Sequence, residues 1–153
     1  MKVVFIMVVH ESDCAVHLKD SLHSIYLSAS MCTCDTNVFI RTDGAISSEK
    51  IEIIRDARKY VSIDLFQGER EIGLTRNLNY LIQKTKGYDY IFRLDPDDLC
   101  LPPRIKTQIK YFEQNPDIEM IGSSAEVIDD DGKLKGVKKT PIGKIVFGGM
   151  MNY

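Results

Sequence analysis

The sequence predicts an α/β protein: a mostly parallel sheet flanked by helices, with a hairpin late in the chain. Three observations lead there. Val3 to Val9 is an unbroken apolar run, the pattern of a strand covered on both faces. Strand and helix patterns then alternate through four rounds with connections of a few residues, which favours parallel strands joined by crossovers. Acidic residues cluster just after the first, second and fourth strands, where open parallel sheets bind ligands.

Each element has its own justification. After the first strand, Leu18, Leu22, Ile25, Tyr26 and Ala29 fall at helical spacing as one apolar stripe. Asn37 to Thr42 reads as a second strand. Ser47 or Ser48 can cap the helix that follows, with Ile51, Ile54 and Ala57 inward. Val61 to Phe66 alternates as a third strand, and Leu74, Leu78, Leu81 and Ile82 stripe a third helix. Tyr88 to Leu94 is a fourth strand. Pro102 and Pro103 then open a helix carrying Ile105, Ile109 and Phe112, in keeping with proline's preference for the first turn. Ile118 to Ile128 reads as a further strand, Asp130 to Lys133 as a turn, and Lys133 to Val137 as a return strand.

Composition narrows the function. With 153 residues, 44% hydrophobic, and a formal net charge of −2, the chain has the makings of a folded domain rather than a disordered one. That charge argues against a nucleic-acid binder dependent on phosphate neutralisation. No apolar run approaches the roughly 18 residues of a membrane span, and the opening residues do not read as a signal peptide. The expected location is the cytoplasm. Cys14, Cys32, Cys34 and Cys100 lack the paired spacing of a zinc ribbon and are expected to be reduced thiols.

Asp95-Pro96-Asp97-Asp98 carries the strongest chemistry. Three carboxylates directly after a buried strand repel one another, which raises a pKa or calls for a cation. Hard oxygen ligands select Mg²⁺, Mn²⁺ or Ca²⁺, and two carboxylates with open positions suit a metal shared with a diphosphate. The same tetrapeptide is also good turn chemistry, so a solvated acidic turn is the competing reading. An EF-hand starting at Asp95 fails, with Cys100 and Lys106 where Gly and Glu are required, and one at Asp129 fails at Leu134. The sequence contains neither a P-loop nor Gly-x-Gly-x-x-Gly.

Several segments together resemble the nucleotide-sugar half of family 2 glycosyltransferases. They are Gly73-Leu74-Thr75-Arg76-Asn77-Leu78-Asn79, Tyr90 through Asp98, Leu101-Pro102-Pro103-Arg104, and Asn115-Pro116-Asp117-Ile118 through Ile121-Gly122-Ser123 to Asp131-Gly132-Lys133. Thr42-Asp43-Gly44 followed by Ser47-Ser48-Glu49 is similar to bacterial polysaccharide transferases of the amylovoran-biosynthesis kind. The resemblance spans nearly the whole chain in order. It implies a GT-A fold, a Rossmann-like mostly parallel sheet, with residues 1–153 forming one donor-binding domain that ends before the acceptor-binding part.

Carried over residue by residue, the resemblance implies that Asp97 holds Mn²⁺ or Mg²⁺ bridging the diphosphate. Asp95 faces the ribose or a metal-bound water, Asp43 accepts from the base, and Arg76 contacts the nucleotide. His10 and Glu11 stand where the first-strand loop lines the nucleoside. Each has a plainer reading: Asp43 as a turn former, Arg76 as a surface charge, His10 as a strand end, and Asp98 as a cap. Glu69-Arg70-Glu71 reads as a solvated loop. Lys133, Lys135, Lys138, Lys139 and Lys144 read as a solvated hairpin or as a patch for anionic lipid at the inner membrane face.

The activity implied is inverting transfer of a sugar, expected from a UDP-sugar, to a saccharide or lipid-linked acceptor hydroxyl. No residue matches the family's general base, so none is assigned. Two competing readings are a nucleotidyltransferase-like enzyme and a non-catalytic nucleotide-binding or scaffold domain.

Overall fold

The computed structural model describes residues 1–129 and 131–139. The chain divides into two units, Met1–Gln114 and a second beginning at Asn115.

The first unit is a four-stranded parallel sheet: β1 (Lys2–Val9), β2 (Asp35–Thr42), β3 (Ser62–Phe66) and β4 (Tyr90–Arg93), in the order β3-β2-β1-β4. Helices α1 (Ala15–Ser30), α2 (Ser48–Ala57) and α3 (Leu74–Lys84) connect successive strands, and α4 (Arg104–Gln114) follows β4. The alternation of β1 divides the core. Val3, Phe5, Met7 and Val9 pack with Leu18, Leu22 and Ile25 of α1, Ile54 of α2, and Ile105 and Ile109 of α4. Val4, Ile6 and Val8 pack with Phe39 and Leu81 on the opposite face, beside α3. An all-apolar β1 is what two covered faces demand.

The chain runs from β1 outward through β2 to β3, then returns across β1 to place β4 on its other side. That reversal makes the carboxyl ends of β1 and β4 the natural crevice of the sheet.

Three inward stripes differ from expectation. On α1 the buried set is Leu18, Ser21, Leu22, Ser24, Ile25 and Ser28, while Tyr26 is exposed and makes tilted ring contacts with His23 and Tyr60. On α2 the aliphatic stem and ammonium of Lys50 are buried with Ile54 and Ala57. On α3 the buried residues are Asn77 and Leu81, whereas Leu74 and Ile82 are exposed.

The second unit contains the hairpin β5 (Ala125–Ile128) and β6 (Leu134–Lys138), antiparallel, with a bulge where Ile128 pairs with Leu134. The expected strand from Ile118 shortens to four residues, because Asn115 and Ile118 close a turn (3.0 Å) and the following stretch holds no ladder. Gly132 turns the hairpin at φ 78°. Lys135 pairs with Asp129 at 2.7 Å. Asp130 and Lys144, named in the turn and the basic stretch, lie outside the described residues.

Candidate nucleotide and metal site

An open cleft lies at the carboxyl ends of the strands, lined by Val8, His10, Asp13, Asp43, Leu74, Asp95, Pro96 and Asp97. It gathers the end of β1, the end of β2, the first residue of α3 and the turn after β4. His10, Asp43, Asp95 and Asp97, singled out from sequence, therefore meet at one place.

Asp43 is buried, and its carboxylate accepts N–H bonds from Ile72 (2.6 Å) and Gly73 (3.1 and 3.2 Å). Burial pushes its carboxyl up. The bonds from Ile72, the Asn77 side chain and Gly73 outweigh that and hold it below the usual range. The residue thus fastens the segment before α3 to the end of β2. Asn77, fully buried, completes the fastening: its amide donates to the Gly73 carbonyl (3.0 Å) and accepts from Arg41 Nε (2.7 Å). Gly73 itself sits at φ 85° and ψ 160°, a conformation open only to glycine.

His10 is oriented from both ring nitrogens. Its Nδ1 accepts from the Ser12 N–H (3.1 Å), and its Nε2 lies 3.1 Å from Oε1 of Glu71, which assigns the proton to Nε2. Its own main-chain N–H donates to Asp13 (2.7 Å). The Glu69–Glu71 loop is therefore more than solvated chain: Glu71 reaches the cleft wall through His10.

Asp95, Pro96, Asp97 and Asp98 form a turn closed by the Asp98 N–H on the Asp95 carbonyl (3.1 Å). Arg93 grips the Asp95 carboxylate with three bonds from Nε and Nη2 (2.9–3.1 Å). Asp97 is exposed on the cleft. Partial burial, then repulsion from Asp97 and Asp95, raises the Asp98 carboxyl. Among the described residues, no three His, Cys, Asp or Glu side chains come together as a metal cage. The donor set fits a hard cation that takes one or two carboxylate oxygens here and completes its shell with phosphate oxygens and water.

Two sequence candidates stay outside the lining. Glu11 turns toward α2, where it accepts from the Ser47 N–H (2.7 Å) and the Lys50 ammonium (3.0 Å). Arg76 is exposed in the first turn of α3. Conversely, Leu74 was expected to face the core and lines the cleft instead; apolar spacing does not distinguish those two destinations. Asp13 and Glu71 could be suspected only as acids near strand ends, and Asn77 left no signal as a polar residue in a helix.

The chain is 28% identical over 137 residues to an Escherichia coli UDP-Gal:alpha-D-GlcNAc-diphosphoundecaprenol beta-1,3-galactosyltransferase, covering 89% of this chain and 48% of the relative. It is 26% identical over 123 residues to the amylovoran biosynthesis glycosyltransferase AmsE of Erwinia amylovora, covering 80% and 43%. The chain spans about half the length of the curated relatives it matches. Among solved structures, the mannosyltransferase PcManGT of Pyrobaculum calidifontis, in complex with GDP-Man and Mn²⁺, superposes with a TM-score of 0.62 at 14% identity, covering 83% of this chain and 35% of that one. The shared fold is GT-A. The family model described as glycosyl transferase family 2 matches residues 4–148, and the chain belongs to that family.

Proposed function

We propose that residues 1–153 are the donor-binding part of an inverting glycosyltransferase. It would transfer sugar from a nucleoside diphosphate sugar, a UDP-sugar in our reading, to a saccharide or lipid-linked acceptor in polysaccharide biosynthesis. The observation that carries this is the meeting of the acidic turn Asp95–Asp98 with His10 and Asp43 at the switch point of the sheet, in a chain of this family. The UDP-Gal donor and diphosphoundecaprenol-linked acceptor in one relative's name support the donor and acceptor classes. Such an acceptor goes with peripheral association at the cytoplasmic membrane face. Among the described residues, no helix is long and apolar enough to cross a membrane.

In this reading Asp97 would hold Mn²⁺ or Mg²⁺ shared with the diphosphate. A bound divalent cation supplies Lewis-acid neutralisation of charge on the departing diphosphate. Asp95, its carboxylate fixed by Arg93, would face the ribose or a metal-bound water. Asp43 and His10 line the nucleoside wall, with Leu74 offering apolar contact. Arg76, exposed at the start of α3, is free to swing onto the nucleotide.

Calorimetric titration of UDP in Mn²⁺ and in EDTA, against the chain and its Asp97→Ala variant, tests the reading. Manganese-dependent binding that disappears in Asp97→Ala is the expected result. Failure of UDP, GDP, CDP and dTDP alike to bind folded protein in Mn²⁺ would overturn it. Tighter binding of nucleoside triphosphate than of UDP-sugar would favour a nucleotidyltransferase instead.

A further inference from the structure

The core face of α1 carries three buried serines, Ser21, Ser24 and Ser28. Hydroxyls on a core-facing stripe are costly unless they are hydrogen-bonded, and each of these is bonded to main chain. Ser24 Oγ donates to the Ser21 carbonyl (2.6 Å) and accepts from the Cys100 N–H (2.8 Å). Ser28 Oγ accepts from the Ile105 N–H (3.3 Å), at the start of α4. Ser21 Oγ, fully buried, donates to the carbonyl of Asp95 (3.2 Å).

That last bond differs in its destination. The Asp95 carbonyl is the acceptor that closes the acidic turn, receiving the Asp98 N–H at 3.1 Å. Ser21 therefore holds the turn at its base from outside. Arg93 holds the Asp95 carboxylate, and Arg104 donates to the Arg93 carbonyl (3.1 Å). Asp97 sits at the third position of this turn, so its carboxylate is aimed only as well as the turn is held. The anchoring helix follows directly from the β1 loop that carries His10 and Asp13, the opposite wall of the cleft.

We propose that Ser21 is a positioning residue: its bond to the Asp95 carbonyl registers the acidic turn against the first-strand wall, so that Asp97 presents to a divalent cation shared with a nucleoside diphosphate. This rests on the donor-site reading above. Sites of this kind lose affinity when supporting hydrogen bonds are loosened, even with every contacting group in place.

The test titrates Mn²⁺ into the chain with saturating UDP, following the electron paramagnetic resonance signal of free aqueous Mn²⁺. Wild type is compared with Asp97→Ala, Ser21→Ala, Ser21→Thr and Ser28→Ala, and thermal melts are recorded for all. Ser28→Ala removes an equally buried hydroxyl from the same helix face without touching the acidic turn. The expected result is Mn²⁺ binding weakened about fivefold in Ser21→Ala, the size of one lost hydrogen bond. Ser21→Thr restores it, and Ser28→Ala lowers the melting temperature without weakening Mn²⁺ binding.

Wild-type Mn²⁺ affinity in Ser21→Ala, with binding lost in Asp97→Ala, would overturn the role of Ser21 and leave the donor site standing. Equal weakening in Ser21→Ala and Ser28→Ala would reduce Ser21 to general stability. Absence of UDP-dependent Mn²⁺ binding in wild type would remove the donor-site reading and this inference with it. Should Ser21→Ala fail to fold, Ser21→Cys keeps the shape with a weaker donor and is judged by the same outcomes.

Discussion

The ammonium of Lys50 donates to both the main-chain carbonyl (2.6 Å) and the carboxylate (3.0 Å) of Glu11. The lysine is 5% exposed. A buried cation is tolerated only with partners, and here it pins the β1–α1 loop to the first turn of α2. Replacing it by methionine keeps the apolar stem but leaves a carbonyl unpaired, so Lys50→Met should cost about 1–2 kcal/mol in urea unfolding. The bond from Lys50, then the Ser47 N–H, holds the Glu11 carboxyl below its usual range. The stability it contributes is full above that range and is lost as pH falls through the lowered value. The part of the Lys50→Met deficit that runs through Glu11 should therefore shrink in acid. A deficit constant from neutral to acid pH would assign the whole effect to the carbonyl bond.

Asp43 makes a second pH-dependent prediction. Its carboxyl is held low in the folded chain by the N–H groups it caps, against the upward pull of burial. Its contribution is again present above the ordinary carboxylate range and drains away below it. Asp43→Asn turns an acceptor into a partial donor facing the N–H groups of Ile72 and Gly73. The expected loss is about 2 kcal/mol at neutral pH, narrowing as the wild type is acidified. Urea midpoints measured from pH 7 down to about pH 3 check it. A variant as stable as wild type at pH 7 would mean those N–H groups find water instead.

These two residues show how far the sequence could be read. Periodicity found every element of the first unit, because Val3–Val9 and the stripes on α1, α2 and α4 are set by burial, which apolar spacing records. Asp43, Asp95 and Asp97 were legible because strand ends in a parallel sheet converge and acids there stand out. What escaped was polar residues spent inside the fold. Lys50, Ser21 and Asn77 count as solvent-facing in any hydropathy pattern, yet each is buried to hold main chain, Lys50 across 39 residues, Ser21 across 74, and Asn77 within its own helix turn. The bonds that Glu11 accepts from a buried lysine one helix away likewise leave no trace in local sequence.

The cysteines give a prediction independent of the cleft. All four are free thiols, with Cys14 exposed and Cys100 buried. Burial, joined by the hydrogen bond the Cys34 thiol makes to Cys32, pushes that thiol up to about 12. Burial raises Cys100 as well. The thiolate is the reactive form. Iodoacetamide at mildly alkaline pH should therefore label Cys14 first, the half-buried Cys34 more slowly, and Cys100 only on unfolding, as read by mass spectrometry. Modification of Cys34 as early as Cys14 in folded protein would contradict the raised pKa of that half-buried thiol.

Gly68 packs directly against the main chain at the end of β2. A Cβ there would stand 2.3 Å from the Thr42 carbonyl oxygen, and its N–H already donates to Thr42 Oγ1 at 2.9 Å. The obstacle is main chain, so no side-chain rotation relieves it, and the 68–73 segment must move away from the end of β2. That displacement pulls Ile72 and Gly73 off Asp43. Gly68→Ala should cost about 2–3 kcal/mol and strip hydrogen-exchange protection from the Ile72 and Gly73 amides. Gly136→Ala makes the informative contrast: a Cβ on that β6 glycine meets nothing within 4 Å. The same added methyl should there be neutral or slightly stabilising through the unfolded chain. Retention of Ile72 and Gly73 protection in Gly68→Ala would show that the segment bends around the added carbon without releasing Asp43.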